Sequence, residues 1–309
     1  MKSLGKKLFI ILIVVLVAGA MAGLVYIYTS PEEVEDNRVA RINLSGTIQS
    51  AASPFADMTI SPHRVEDQLE RAEKARGVES VVINIDSPGG NVAASQEIHD
   101  MIEDYELPVV ISMGDMAASG GYYISAPADA IVAHPGTMTG SIGVIFTLFD
   151  PEELLDNIGV EREIVKSGEH KDMFSRSLEE EEREKLQTMS DTAHEQFIRA
   201  ISQGRDMEME EVREMATGEI YLGSQALDLG LVDEVGNSRD ALKLAGEIAG
   251  IDEPVFYELP TPPIYERIFS FSTRALEYLR VIRLGENLKT LERIEEGLSP
   301  VLEYKVPGY

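Results

Sequence analysis

The chain has 309 residues, 44% of them hydrophobic, with 54 acidic against 27 basic side chains, a formal net charge of -27 and no cysteine. That excludes a disulfide framework, a thiolate metal site and a cysteine nucleophile, and the five histidines, His63, His99, His134, His170 and His194, are too scattered for a helical zinc pair. Neither a metal nor a cofactor is implied. So acidic a surface repels nucleic acid, and its ordinary reading is a solvated face that keeps the protein soluble.

Lys2, Lys6 and Lys7 precede an uncharged stretch from Leu8 to Thr29, and Glu32, Glu33, Glu35 and Asp36 follow it. A run of about 20 apolar residues can cross a bilayer. The spacing predicts one transmembrane anchor over 8–29, and the flanking charges put the N-terminus in the cytoplasm and the rest of the chain outside the cell membrane. Small residues in Ala18-Gly19-Ala20 and Ala20-Met21-Ala22 keep a cleaved signal peptide as the alternative. A polar linker over 30–37 then leads to one main domain over 38–259.

Val39 to Leu44 alternates like a strand, and Ser61 opens a helical pattern to about Ala75 with Val65, Leu69 and Ala72 on one face. Ser80 to Ile85 is a continuous apolar run suited to a buried parallel strand, followed by a Pro-Gly-Gly turn and a helix from about Ala93 to Asp104. Pro108 to Met113 repeats the strand, and a turn and a helix starting near Ser119 repeat the rest. Short strands are predicted at Ala130–Ala133, Ile142–Phe146 and Glu163–Val165, with a helix opening at Pro151. A long amphipathic helix spans about Glu179 to Gly204, and shorter ones follow at Met209–Thr217, Ser224–Leu229 and Arg239–Ala249. Strand and helix alternating over short connections imply an α/β domain with a largely parallel sheet. Pro260-Thr261-Pro262-Pro263 breaks the pattern and opens a helical tail over 260–309, whose apolar positions from Ile264 to Leu284 are interleaved with arginines. Such a helix suits an oligomer contact or a membrane surface.

Ser119 stands where an apolar strand hands over to small residues, in Met116-Ala117-Ala118-Ser119-Gly120-Gly121-Tyr122-Tyr123, and Lys171 follows in Ser167-Gly168-Glu169-His170-Lys171-Asp172. A serine hydroxyl needs a base to take its proton, and a lysine kept neutral by burial can serve in place of histidine. These two runs, with Asp86-Ser87-Pro88-Gly89-Gly90, Ser112-Met113-Gly114 and Thr139-Gly140-Ser141-Ile142-Gly143-Val144, resemble in order and spacing the signal peptide peptidase SppA family, also called protease IV, from about Arg38 to Asn237.

The resemblance implies a ClpP/crotonase-like spiral of ββα units and a Ser/Lys endopeptidase with a homo-oligomeric assembly. It also implies Ser119 as nucleophile, Lys171 as general base and Ser141 as the hydroxyl holding that lysine. It places the oxyanion donors at Gly90 and Gly120, and Gly89, in the same turn after a strand and a proline, can also point its N–H into a cleft. The substrates it implies are apolar peptides, including signal peptides left in the membrane. Taken alone, each motif is weaker: Pro-Gly-Gly is a common turn and a lone lysine is nearly always a solvated surface residue. Three alternatives stay open at this point. They are a ClpP-like serine–histidine peptidase using His134 or His170, a crotonase-type acyl-CoA enzyme, and an inactive membrane scaffold.

Overall fold

The computed structural model describes residues 37–50 and 59–260, together with Gly19. The anchor expected over 8–29 and nearly all of the tail over 260–309 lie outside the described residues. No helix among the described residues is long and apolar enough to cross a membrane. By internal contacts the chain divides into two compact units, Met1–Leu259 and Pro260–Tyr309.

The first unit is built on a parallel sheet. Its strands are β1 (Arg38–Ser45), β4 (Val78–Ser87), β5 (Val109–Ala118), β6 (Ala130–Ala133), β9 (Glu234–Val235) and β10 (Val255–Glu258), in the order β10-β1-β4-β5-β6-β9. Every pairing along that path is parallel. A small second sheet pairs β2 (Thr47–Ile48) with β3 (Thr59–Ile60). Parallel strands need crossovers, and these carry α1 (Pro62–Glu73), α2 (Val92–Glu103) and the single turn α3 (Gly120–Tyr123).

Alternation explains why the strands read as unbroken apolar runs, since both faces are covered. Ile42, Ile83 and Ile111 point into the larger core, with Leu69 of α1, Ile98 of α2 and Phe197 and Ile201 of α5 (Glu180–Gly204). Val39, Val82 and Val110 point the other way, onto Ala241 and Ala245 of α8 (Ser238–Ala249). The cover by α8 is partial. Farther along that face the row becomes polar, and Asn84 Nδ2 donates to Asn43 Oδ1 at 2.7 Å.

β5 runs five residues beyond the expected end at Met113. Its first part pairs with β4 and β6, and its last residues, Met116 to Ala118, pair with β7 (Met138–Gly140). Gly114 broke the apolar pattern in sequence but not the strand in space, because the Met116 N–H is caught by Asp86 Oδ1 at 3.1 Å. β7 in turn pairs antiparallel with β8 (Ile220–Leu222). The strands expected at Ile142–Phe146 and Glu163–Val165 do not form: both segments lack regular structure, and Ile145 and Val165 are 86% and 93% exposed. β-branched residues favour strands only when an edge is available to pair with, and neither segment pairs with one among the described residues. The remaining helices are α4 (Glu152–Asn157), α6 (Met209–Met215) and α7 (Gly223–Asp228).

Tyr122 of α3 fastens the site region to this core. Its ring is fully buried, its phenol pushed well above the usual range by that burial, and its hydroxyl donates to the Leu231 carbonyl at 2.8 Å. Tyr122→Phe leaves that carbonyl buried without its partner, and urea denaturation is expected to register a loss of about 1 to 3 kcal/mol.

Candidate active site

Ser119 is the residue at which β5 turns into α3. Its φ of 52° and ψ of -121° lie in a region costly for a side chain bearing a Cβ, on the order of 1 to 3 kcal/mol. The turn is held from both sides, since the Ser119 N–H donates to the Gly140 carbonyl at 2.8 Å and its own carbonyl accepts from the Tyr123 N–H at 2.9 Å. The serine thereby lines a cleft and also sits at the first turn of a helix.

The Pro-Gly-Gly turn after β4 faces it. The parallel bridge between Ile48 and Gly90 spends the Ile48 N–H on the Gly89 carbonyl and the Ile48 carbonyl on the Asn91 N–H, both at 2.9 Å. Extended backbone alternates its N–H groups, so that of Gly90 points away from Ile48, toward the cleft. A side chain at Gly90 would collide with the Ile48 carbonyl, so glycine is required by the closeness of this bridge. Gly120 lines the same cleft, and its N–H, at the first position of α3, has no partner within the helix. Gly89 differs from the other two: its φ is 96° and its N–H donates to Ser87 Oγ at 3.1 Å. Of the three glycines, Gly90 and Gly120 are thus the two whose N–H groups are left open at the cleft.

The cleft wall is apolar. Val92 of α2, Tyr123 of α3, Val144 of the following loop, and Ala193 and Phe197 of α5 line it, with the Tyr123 and Phe197 rings 4.9 Å apart between centroids. Ser95 also lines it, and its hydroxyl is engaged with the Asn91 carbonyl at 3.0 Å. Ser141 lies next to Gly140, whose carbonyl holds Ser119; its own φ is 50° and its N–H donates to the Glu219 carbonyl at 2.7 Å. The turn from Gly140 to Ser141 therefore abuts the serine. Lys171 is exposed and does not line the cleft.

Residues on either side of Lys171 are instead tied to the first turn of α5. Glu182 has a fully buried carboxylate that accepts from Arg176 Nη1 and Nη2 at 2.8 Å each and from the Glu179 N–H at 3.1 Å, and it meets His170 Nδ1 at 3.0 Å. Arg176 Nε also reaches Asp172 at 3.2 Å, and Lys166 Nζ donates to Asp172 at 2.7 Å. Hydrogen bonding from Arg176 depresses the Glu182 carboxyl to about 2, and that from Lys166 depresses Asp172 to about 2.

The family profile of Peptidase family S49 matches residues 102–252, and that of Clp protease matches residues 47–138. A Synechocystis sp. protein provisionally named protease slr0021 is 36% identical over 263 residues, covering 82% of this chain and 91% of its own length. Protease 4 of Haemophilus influenzae is 34% identical over 232 residues, 72% of this chain and 37% of that protein. The chloroplastic serine protease SPPA of Arabidopsis thaliana is 32% identical over 224 residues, 70% of this chain and 33% of that protein.

The chain belongs to peptidase family S49.

It is a serine protease of the SppA kind, and the crotonase-type reading is set aside by this membership. This chain spans about a third of the length of the last two relatives. In this S49 peptidase no histidine lines the Ser119 cleft among the described residues. His134 is exposed in a groove near the ends of the parallel strands, and His170 is held between Glu182 and Lys185. His99 lies behind the wall, its ring 5.1 Å from that of Tyr123.

Several residues in and around the site, Phe197, Ala193 and Glu182 among them, were not assigned from the sequence. Phe197 and Ala193 sit on the face of α5 that also feeds the core, so nothing in their spacing distinguishes a cleft wall from core packing. Glu182 is one of four consecutive glutamates, Glu179 to Glu182, and only its burial sets it apart.

Because Glu182 and Asp172 have lower pKa values folded than unfolded, their ion pairs contribute fully above the usual carboxylate range and are lost as pH falls through about 2. Hydrogen exchange over residues 166–182 is expected to lose its protection between about pH 4 and pH 2. Protection unchanged across that window would contradict the ion-pair account.

Proposed function

We propose that this S49 peptidase is a membrane-anchored endopeptidase with a Ser/Lys dyad that cleaves apolar peptides, remnant signal peptides among them, through an acyl-enzyme. The observation that carries the proposal is Ser119 held in a strained turn against two open N–H groups, those of Gly90 and Gly120, in an apolar cleft. Lys171 takes the hydroxyl proton while Oγ attacks the scissile carbonyl. The two N–H groups receive the oxyanion of the tetrahedral intermediate, each such donor being worth about 3 to 4 kcal/mol of barrier. The ammonium of Lys171 then protonates the leaving amine, and the regenerated amine activates the water that hydrolyses the ester. Ser141, beside the nucleophile's own turn, orients the lysine. Val92, Val144 and Phe197 favour an apolar side chain next to the cleaved bond, with the peptide extended along the Gly90 edge.

The lysine that serves a given serine comes from a neighbouring copy in a homo-oligomer. Two observations support this. Along α5, Ala193 in the cleft wall lies 11 residues beyond Glu182, about 16 Å at 1.5 Å per residue, whereas the residues flanking Lys171 are fastened at Glu182. The segment from 145 to 165, between the cleft and Lys171, exposes Ile145, Phe149, Leu154, Ile158 and Val165 within 21 residues, a density of exposed apolar side chains that suits contact with another copy.

Ser119→Ala and Lys171→Ala are each expected to lower kcat at least about 10³-fold against a fluorogenic apolar peptide. Mixing the two inactive variants under conditions of subunit exchange should restore activity, toward about a quarter of wild type for random pairing. No restoration in mixed assemblies would overturn the shared site, and full activity of Lys171→Ala would overturn the dyad.

The anchor rests on the uncharged stretch from Leu8 to Thr29 and its flanking charges, with the catalytic domain outside the cytoplasm. Removal of residues 1–29 is expected to move the protein from the membrane to the soluble fraction on ultracentrifugation. Retention on the membrane would transfer the anchoring role to another segment.

A further inference from the structure

The sequence around Lys171 is strongly charged, and most of its charges are exposed and screened. One pair is not. Glu182 is fully buried and Arg176 is 17% exposed; the guanidinium meets the carboxylate with both Nη atoms while its Nε reaches back to Asp172 at 3.2 Å. The same guanidinium donates to the Ser177 carbonyl at 2.9 Å. His170 closes the arrangement on the other side of Lys171. Lys185 Nζ can only donate, so His170 Nε2 accepts from it at 2.9 Å and Nδ1 carries the proton toward Glu182. Both neighbours of Lys171 in the chain are thereby bound, directly or through one arginine, to a single carboxylate on α5.

A buried ion pair is a poor source of net stability, because desolvation offsets most of its attraction. What a bidentate arginine supplies is geometry: two parallel hydrogen bonds fix the guanidinium plane, and the third nitrogen fixes Asp172 relative to it. The helix that holds this fork is also the one whose Ala193 and Phe197 wall the Ser119 cleft and whose Ser190 donates to the Val144 carbonyl at 3.1 Å. One rigid element therefore carries the cleft wall at one part of its length and the lysine segment at another.

We propose that Arg176 and Glu182 are positioning residues for the proton-transfer step. They lock the segment 170–176 onto α5 so that Lys171 is presented at a fixed place and angle relative to that helix, whichever copy's serine it serves. This rests on the dyad reading above, in which Lys171 is the base. Neither residue lines the Ser119 cleft. Their effect falls on the geometry of proton transfer and not on peptide binding, since the cleft wall is built from other residues. Misplacement of a reacting group by about 1 Å costs on the order of 100-fold in rate.

The test uses the full chain with Arg176→Met/Glu182→Met, an apolar pair of similar length that removes both charges together and leaves neither one buried alone. Folding, assembly and KM for a fluorogenic apolar peptide are expected to stay within about threefold of wild type, while kcat falls on the order of 100-fold. Arg176→Lys is measured beside it, because it keeps the charge but cannot bridge both carboxylates, and it is expected to show the same kcat loss at unchanged KM. It also serves as the reading if the apolar pair disturbs assembly. A kcat within twofold of wild type in either folded variant overturns the proposal, as does a loss that falls on KM alone. Lys171→Ala separates the two levels. If it abolishes turnover while the Arg176 and Glu182 variants do not, only the positioning role fails; if it remains active, the dyad itself fails.

Discussion

The structure depends on one forced turn of backbone. β5 keeps its pairing past Gly114 to Ala118, first with β4 and β6 and then with β7, so that the chain is still held as a strand when it reaches Ser119. There it must reverse into α3, and it does so through a positive φ that a serine adopts only when its neighbours leave no other choice. The Gly140 carbonyl on one side and the helix turn on the other make that choice, with Tyr122 anchoring the turn to the core. The reward is a hydroxyl and a helix-start N–H presented together at the rim of a cleft.

The Gly90 side of the cleft follows from the same economy of backbone. Ile48 and Gly90 come so close that only a glycine fits, and the bridge engages both backbone polar groups of Ile48 through Gly89 and Asn91, leaving the Gly90 N–H turned to the cleft. Two elements distant in sequence thus converge on one point by parallel pairing, with apolar side chains supplying the cleft wall. This leaves α5 as the element that connects them. It buries Ile198 and Ile201 in the core, gives Phe197 to the cleft, and holds the Lys171 segment at its first turn.

Much of this was legible in the residues. Continuous apolar runs at Ser80–Ile85 and Pro108–Met113 marked buried parallel strands because both sheet faces are covered, and small residues around Ser119 and Gly90 marked places where backbones approach. The reading failed where an apolar β-branched run had no partner, as at Ile142–Phe146 and Glu163–Val165. Residue type alone does not distinguish the N–H directions of Gly89 and Gly90, since adjacent glycines look alike until the bridge to Ile48 shows which N–H is turned to the cleft.

By itself the sequence determined the family, through motif order, and most of the helices and strands, through periodicity, because these are local properties of residue type and spacing. Tertiary structure alone decided which glycine N–H groups stay open. It also decided that Phe197 walls a cleft while Ile201 packs the core, and that among four consecutive glutamates Glu182 is the one buried against Arg176. The physical reason is that burial and hydrogen-bond direction are set by what the rest of the fold places opposite a residue, and identical neighbours in a chain do not have identical opposites in space.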